Sequence, residues 1–401
     1  MRTGSSGGHE LPRSPSLSKR GWGELKEKKR IFYLLCLGSL TISFNVTAIA
    51  ACLPTISRDL RISDVLAARI IPCYMIPYGV GALAAAAIIR YISYRSLLSF
   101  STALYALVSL LCAVTNSFEV LLLARVVMGV AASAVVPLGL ILIGKIFPKE
   151  MRGRMIGGFF SSSFAASVIG TAISSVAHWR WLFFVPGLIA IGLTVLFRVL
   201  SFEILDHRER HRVNYKNIIA NSKICRVFAI ILILSMLYHA VYKWLGVYLA
   251  RIYNFEQFKI SMLFVAIAVS GALGQMIGGY LTDKKGRLKT CTLGLFMLGM
   301  ATVLLSGVFP VIVLVIILSG MSMGWTIGHN ALSTILTDFP DEHRAEIAGL
   351  NSSIRFLSGG IGFSLSSFFI EKSFQMTFLV FGIIMLGLSF LASKIIPCEY
   401  A

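Results

Sequence analysis

Twelve stretches of apolar residues, each roughly twenty long, punctuate this chain, and that feature leaves very few folds open. An α-helix needs about 20 apolar residues to cross ~30 Å of hydrocarbon. Lipid offers no hydrogen bonds, so a spanning segment must satisfy its own backbone, which a helix does. The stretches cover residues 31–54, 66–89, 97–114, 120–144, 155–176, 182–201, 227–250, 260–282, 291–309, 311–337, 347–370 and 374–392. Charged residues are 14% of the chain and hydrophobic ones 56%, against about a quarter charged in a soluble domain. The sequence therefore predicts an all-α membrane protein of twelve transmembrane helices. Ala48-Ile49-Ala50 has the small-residue spacing of a signal-peptidase site, but the apolar stretch is too long for a signal peptide and follows a polar leader, so an uncleaved first helix is expected.

The net charge of +19 suits nucleic acid in principle, yet the positive residues are sorted by loop rather than gathered on one domain. Twenty-seven lysines and arginines fall on the side of the N-terminus and seven on the other, Arg58, Arg61, Arg69, Arg180, Arg251, Lys259 and Lys372. Cytoplasmic loops carry such an excess, which predicts a multi-pass protein of the cell membrane with both termini in the cytoplasm and no nucleic-acid partner. The seven cysteines show no paired spacing, so free thiols and no metal site are expected. No phosphate loop, metal spacing or nucleophile with a base partner is present, so neither an enzyme nor a cofactor is expected.

Residues 1–30 read as a disordered cytoplasmic tail and 205–226 as a basic cytoplasmic linker between an N-terminal six-helix bundle, 31–204, and a C-terminal one, 227–394; a short tail, 395–401, follows. The two halves repeat. Phe147-Pro148-Lys149-Glu150-Met151-Arg152 lies over Phe339-Pro340-Asp341-Glu342-His343-Arg344 at an ungapped offset of 192. The register continues through Gly157 on Gly349, Ser161 on Ser353, Gly170 on Gly362, and Ser174-Ser175 on Ser366-Ser367. Two pseudo-symmetric bundles follow, and transporters built this way bind substrate near the midplane between repeats.

Gly279-Tyr280-Leu281-Thr282-Asp283-Lys284-Lys285-Gly286-Arg287-Leu288-Lys289, at the end of the eighth helix, resembles the loop motif G-x-x-x-D-R/K-x-G-R/K-x-R/K of the major facilitator superfamily. The resemblance covers all twelve helices. Within the superfamily the chain looks most like the drug:proton antiporters. Phe44-Asn45-Val46-Thr47 with Ala51-Cys52-Leu53-Pro54 is similar to their first-helix pattern L-D-x-T-x-x-x-x-A-L-P. Arg125 to Gly129 matches R-x-x-x-G, and Trp179-Arg180-Trp181 with Phe183 matches the pattern opening their sixth helix. The resemblance implies the major facilitator fold, and a cytoplasmic latch in which Asp283 meets Arg152 or Arg154 beside Gly279, Lys284, Gly286, Arg287 and Lys289. A carboxylate there can also approach a helix N-terminus. The first-half copy has Ile89 in place of the acid, with Ala85, Arg90, Ile92 and Arg95 around it, which predicts an asymmetric gate. Asn45 replaces the family's aspartate, and the fifth-helix antiporter motif survives only as Gly170-Thr171 and Ser174-Ser175.

Every acid lies in a tail, a loop or at a helix end, so the usual carboxylate proton carrier is missing from the midplane. The midplane instead holds Asn45, Arg125, His239, Tyr242, Lys243, Trp325, His329, Asn330, Asn351 and Arg355, the expected substrate cavity. His239, Tyr242 and Lys243 share one helix face, as do Asn351 and Arg355. Cations without acids favour an anionic or electron-rich solute, although Arg125 can instead bond backbone carbonyls, and Lys243 or Arg355 can snorkel to an interface. His239 and His329 are the midplane groups that could couple protons. Tyr74, Tyr78, Trp244, Met321, Met323 and Trp325 suit a tolerant apolar wall; Gly320, Gly324 and Gly328 form a close-packing ridge, and Pro72 and Pro77 can kink the second helix.

Three functions remain open: a monomeric secondary transporter exporting a drug or metabolite by alternating access, an uncoupled or histidine-coupled carrier of an organic anion, and a non-transporting receptor or scaffold on a decayed carrier fold.

Overall fold

A computed structural model describes residues 19–200, 203–206, 214–337, 339 and 344–396. Twelve helices among them are long and apolar enough to cross a membrane. They are α1 (Glu27–Leu60), α2 (Asp64–Ala85), α3 (Tyr94–Val114), α4 (Phe118–Ile146), α5 (Gly158–Val176), α6 (Trp181–Val199), α7 (Ser222–Ile252), α8 (Gln257–Lys285), α9 (Arg287–Leu304), α10 (Val311–Leu336), α11 (Glu346–Ile370) and α12 (Phe374–Ile395). The first helix runs over Lys19–Leu60, reaching into the stretch expected as tail. Its Lys-Glu-rich start lacks helix breakers after Gly23, so the helix continues beyond the apolar stretch.

Packing sorts the spans into two groups. In the first, α1 packs on α5 and α6, α3 on α4 and α6, and α2 on α4. In the second, α9 packs on α10 and α12, α8 on α10, and α7 on α11. Between the groups, α2 meets α11, α5 meets α8, and α1 meets α7 and α8. The outward faces carry exposed Val176, Met276, Ile312 and Phe390, apolar surface that only lipid solvates well.

The internal repeat reappears in these contacts. A methyl at Gly170 of α5 would lie 2.2 Å from the Phe44 carbonyl of α1, and one at Gly362 of α11 would lie 2.3 Å from the Met236 carbonyl of α7. Both partners of the second contact sit 192 residues beyond those of the first. Each half therefore uses a glycine to bring one helix against the backbone of the same neighbour.

Three spans are interrupted. Helix stops at Ala68 and resumes at Pro72 within α2, stops at Ala132 and resumes at Val135 within α4, and stops at Tyr242 and resumes at Leu245 within α7. Pro54 adds a fault to α1, because it has no N–H for the Ala50 carbonyl four residues earlier. Gly246, just past the α7 break, sits against that carbonyl, where a methyl would come within 2.1 Å.

Candidate functional site

Two polar clusters lie deep in the spans, one in each half. In the first half Arg125 of α4 is 2% exposed. Its Nε–H donates to the Ile70 carbonyl at the α2 break (3.1 Å), and Nη1–H donates to Asn45 Oδ1 (3.4 Å) and Met128 Sδ (3.3 Å). The Tyr74 ring lies beneath the guanidinium, 4.3 Å from centroid to Cζ. Asn45 in turn donates to the Tyr105 hydroxyl (3.4 Å), whose own proton goes to the Thr41 carbonyl (3.3 Å). Arg125 and Asn45, both expected at the substrate cavity, thus bond each other and neighbours of their own half. Helices α1 to α4 enclose both, and the break at residues 69–71 frees the carbonyl that the arginine takes.

The second cluster is built by α7, α10 and α11. His239 Nδ1 lies 2.9 Å from the Ser235 carbonyl, which can only accept, so Nδ1 carries the proton and Nε2 presents its lone pair. Arg355 Nη1–H donates to His329 Nδ1 (3.3 Å), so that nitrogen is bare and the proton of a neutral ring sits on Nε2. Arg355 Nη2–H donates to Ser333 (2.8 Å), while its buried Nε–H and the buried Asn351 Oδ1 have no hydrogen-bond partner among the described residues. Trp325 stacks on Tyr238 at 4.0 Å and 3°, and meets His239 edge-on at 5.8 Å. Tyr242 continues the stack on Tyr238 at 5.2 Å. His239, Trp325, His329 and Arg355 are brought together; Asn330 is turned away, its amide facing the Gln275 carbonyl of α8 (3.4 Å). Ser235 and Ser333, which position the histidine and the arginine, carry no sequence signal beyond their one-turn spacing from His239 and His329.

Lys243 joins the halves. Only 2% exposed, it donates Nζ–H to the Val46 carbonyl of α1, a contact across the bundle interface rather than a reach to the membrane surface. Further contacts cross the interface toward the end of the molecule opposite the termini. Arg251 pairs with Asp64 (2.6 Å), Thr55 donates to Gln257 Oε1 (2.6 Å), and Ser174 and Ser261 share a hydrogen bond of 2.9 Å. Trp179 and Arg180 work within the first half at that same end: the indole N–H donates to Asp59 (3.0 Å), and Arg180 caps the Thr115 carbonyl at the end of α3. Toward the other end, Tyr78 of α2 stacks on Phe356 of α11 with centroids 3.8 Å apart.

At the loop motif, Asp283 is exposed and forms no ion pair among the described residues. The Arg152 and Arg154 side chains expected to meet it lie outside those residues. Gly286 turns the chain from α8 into α9 with φ 86° and ψ 156°, a backbone region open essentially to glycine, so its presence in the motif has a conformational reason. Lys284 lies over the Tyr280 ring at 4.7 Å; Gly279 has open space around it, and Lys289 is exposed. In the first-half copy Ile89 is buried, and Arg95 pairs with Asp206 and caps the Phe197 carbonyl at the end of α6 (3.0 Å).

A family model described as Major Facilitator Superfamily matches residues 35–363. The chain belongs to the major facilitator superfamily. Among relatives in this superfamily, the uncharacterized transporter YebQ of Escherichia coli is 32% identical over 154 residues, 37% of this chain and 33% of that protein. The multidrug export protein EmrB of Haemophilus influenzae is 34% identical over 119 residues, 28% of this chain and 22% of its own length. The chain thus spans a third or less of these relatives. The uncharacterized MFS-type transporter YwfA of Bacillus subtilis is matched more broadly, at 26% identity over 64% of this chain and 65% of that protein. The fold matches the crystal structure of a bacterial homologue of the human lysosomal transporter Spinster, inward-facing and unoccupied. The TM-score is 0.74 at 14% identity, over 92% of this chain and 98% of that one. The major facilitator fold, two six-helix bundles, is the architecture described above.

Proposed function

We propose that this chain is a secondary transporter that moves a small organic solute across the cell membrane by alternating access, with the halves 31–204 and 227–394 rocking about the linker 205–226. The observation that carries the proposal is the second-half cluster. Arg355 keeps a buried N–H without a partner among the described residues, beside Asn351, His239 and His329, between helices whose neighbours cross to the other half. Leaving a buried polar group unpaired costs about 1–3 kcal/mol. A solute that accepts this hydrogen bond while bound, and leaves when the site opens, gives that cost a purpose. Export is the favoured direction because the relative EmrB is named a multidrug export protein. Both termini lie in the cytoplasm in this reading, from the loop charges, and the working unit is one chain, not an enzyme. Asp283 then latches the cytoplasmic ends in the state opposite to the present one, meeting Arg152 or Arg154 once α8 moves toward α5.

A second reading concerns the solute. Arg355 and Lys243 stand near the site without an acid, and His329 offers Nε2–H as a further donor, which favours an organic anion over a cation. Proton coupling, if present, falls to His239: protonation at Nε2 preserves its bond to the Ser235 carbonyl, whereas protonation of His329 at Nδ1 breaks the bond from Arg355. The test uses purified chain in sealed vesicles, with labelled anionic, cationic and neutral aromatic solutes side by side and a proton gradient imposed in either direction. Counterflow of an anionic member, abolished by Arg355→Gln, is the expected result. Counterflow of cations alone removes the anion reading; no counterflow of any member, together with labelling from one face only, favours the scaffold.

A further inference from the structure

Outside the central site lies a cavity of about 280 Å³ between the short helix Tyr215–Ala220, the start of α7 and α11. Its walls are apolar: Ile218 from the short helix, Phe228, Ala229 and Leu232 from α7, and Leu350 and Ile354 from α11. The volume falls just below the roughly 300–1,000 Å³ of drug-sized sites. The Cys225 thiol also lines it but is bonded to the Ile219 carbonyl (2.9 Å), so the described lining leaves no free polar group to orient a polar solute.

The charges beside it are arranged in depth. On α7 Arg226 stands about one turn before Ala229, and Ala229 about one turn before Leu232; the last two line the cavity, and Arg226 lies on the side of the helix start. All three are exposed, so the cavity opens sideways there. On the short helix Lys216 stands one turn before Ile219, which is 60% exposed. Lys216 and Arg226 form no ion pair among the described residues. We infer that this is a binding site for one anionic phospholipid, its phosphate between Lys216 and Arg226 and one acyl chain in the cavity. Charge complementarity commits the site to a phospholipid rather than a neutral apolar guest. The leaflet on the terminus side, the cytoplasmic one in the orientation proposed above, is where anionic lipids attract basic segments.

The roof of the cavity also ties the halves together. Tyr215 donates its hydroxyl proton to the Leu83 carbonyl of α2 (3.1 Å), and the Asn214 N–H donates to Glu346 at the start of α11 (3.1 Å). Burial and the nearby Glu346 carboxylate push the Tyr215 hydroxyl up to about 12, so it remains a donor throughout the physiological range. A lipid beneath this helix holds it on α11 while Tyr215 grips α2, which ties membrane composition to how easily the halves part.

The purified full chain, stripped of lipid, is titrated with phosphatidylglycerol and with phosphatidylcholine of matched acyl chains, and bound lipid is counted by native mass spectrometry. One phosphatidylglycerol is expected to bind on the order of 30-fold more tightly to the wild type than to the Lys216→Gln/Arg226→Gln variant, with phosphatidylcholine binding the two alike. Ala229→Phe fills the cavity and is expected to abolish retention of the tightly held lipid. Equal binding of the two lipids by the wild type, no loss in the double variant, or preferential retention of a fatty acid or detergent overturns the proposal. Both charged side chains are exposed, so the double variant keeps the test open if Ala229→Phe fails to fold. The readout is lipid binding and not flux, so its failure is distinct from failure of the transport reading.

Discussion

The two polar clusters begin from the same sequence signal, an arginine in an apolar span, and end in opposite conditions. Arg125 has a carbonyl, an amide oxygen, a sulfur and an aromatic face around it, all from its own half. Arg355 has a histidine and a serine, and keeps a buried N–H with no partner among the described residues. Burial of a cation is therefore not itself a functional sign. What separates a structural arginine from one waiting for a ligand is the count of its donors left over once the protein has taken its share.

The largest expected effect falls on the satisfied side of this comparison. Arg125→Leu strands the Asn45 amide and the Ile70 carbonyl, and thermal unfolding in detergent should show a loss of about 3 kcal/mol or no folded protein at all. An unchanged melting temperature would erase the distinction between the clusters. Arg355→Gln should do the reverse: stability within about 1 kcal/mol of wild type, and solute affinity lowered roughly 10- to 100-fold through loss of charge-assisted hydrogen bonds. Titration of both proteins with the same anionic solute checks it, and a stability loss as large as that of Arg125→Leu would make the second cluster structural too. Trp325→Leu removes the stack on Tyr238, and since an aromatic pair is worth about 0.5–1.5 kcal/mol beyond its area, affinity should drop several-fold. The smallest effect is expected at Asp283→Asn. An exposed carboxylate without an ion pair among the described residues contributes within about 0.5 kcal/mol to stability here, but loss of a latch in the other state should shift the ratio of inward to outward labelling by about two- to fivefold. No shift in that ratio would remove Asp283 from the gate.

The spans were legible because their length is dictated by bilayer thickness, and the repeat because its offset of 192 survives in the residues that set helix approach, Gly170 and Gly362. The sorting of the cations was not legible. Arg125 and Asn45 are 80 positions apart, and no local pattern announces that one will consume the other's acceptor. Nor does a pattern reveal that α2 breaks beside Arg125 and frees the Ile70 carbonyl. Glu346 stands at a helix end, where an acid is ordinarily solvated, yet it is 1% exposed and accepts the Asn214 N–H. Contacts between distant segments decide each of these cases, and they exist only once the bundles are assembled.

Alternating access requires the second-half cluster to be reached in turn from each face of the membrane. The direct test places a cysteine at Ser333, the partner of Arg355, in a chain whose seven native cysteines are replaced. A membrane-impermeant maleimide is then applied to either face of oriented vesicles. Labelling from both faces, at rates that change in opposite directions when an anionic solute is added, is the predicted result. Labelling from one face under every condition would contradict it.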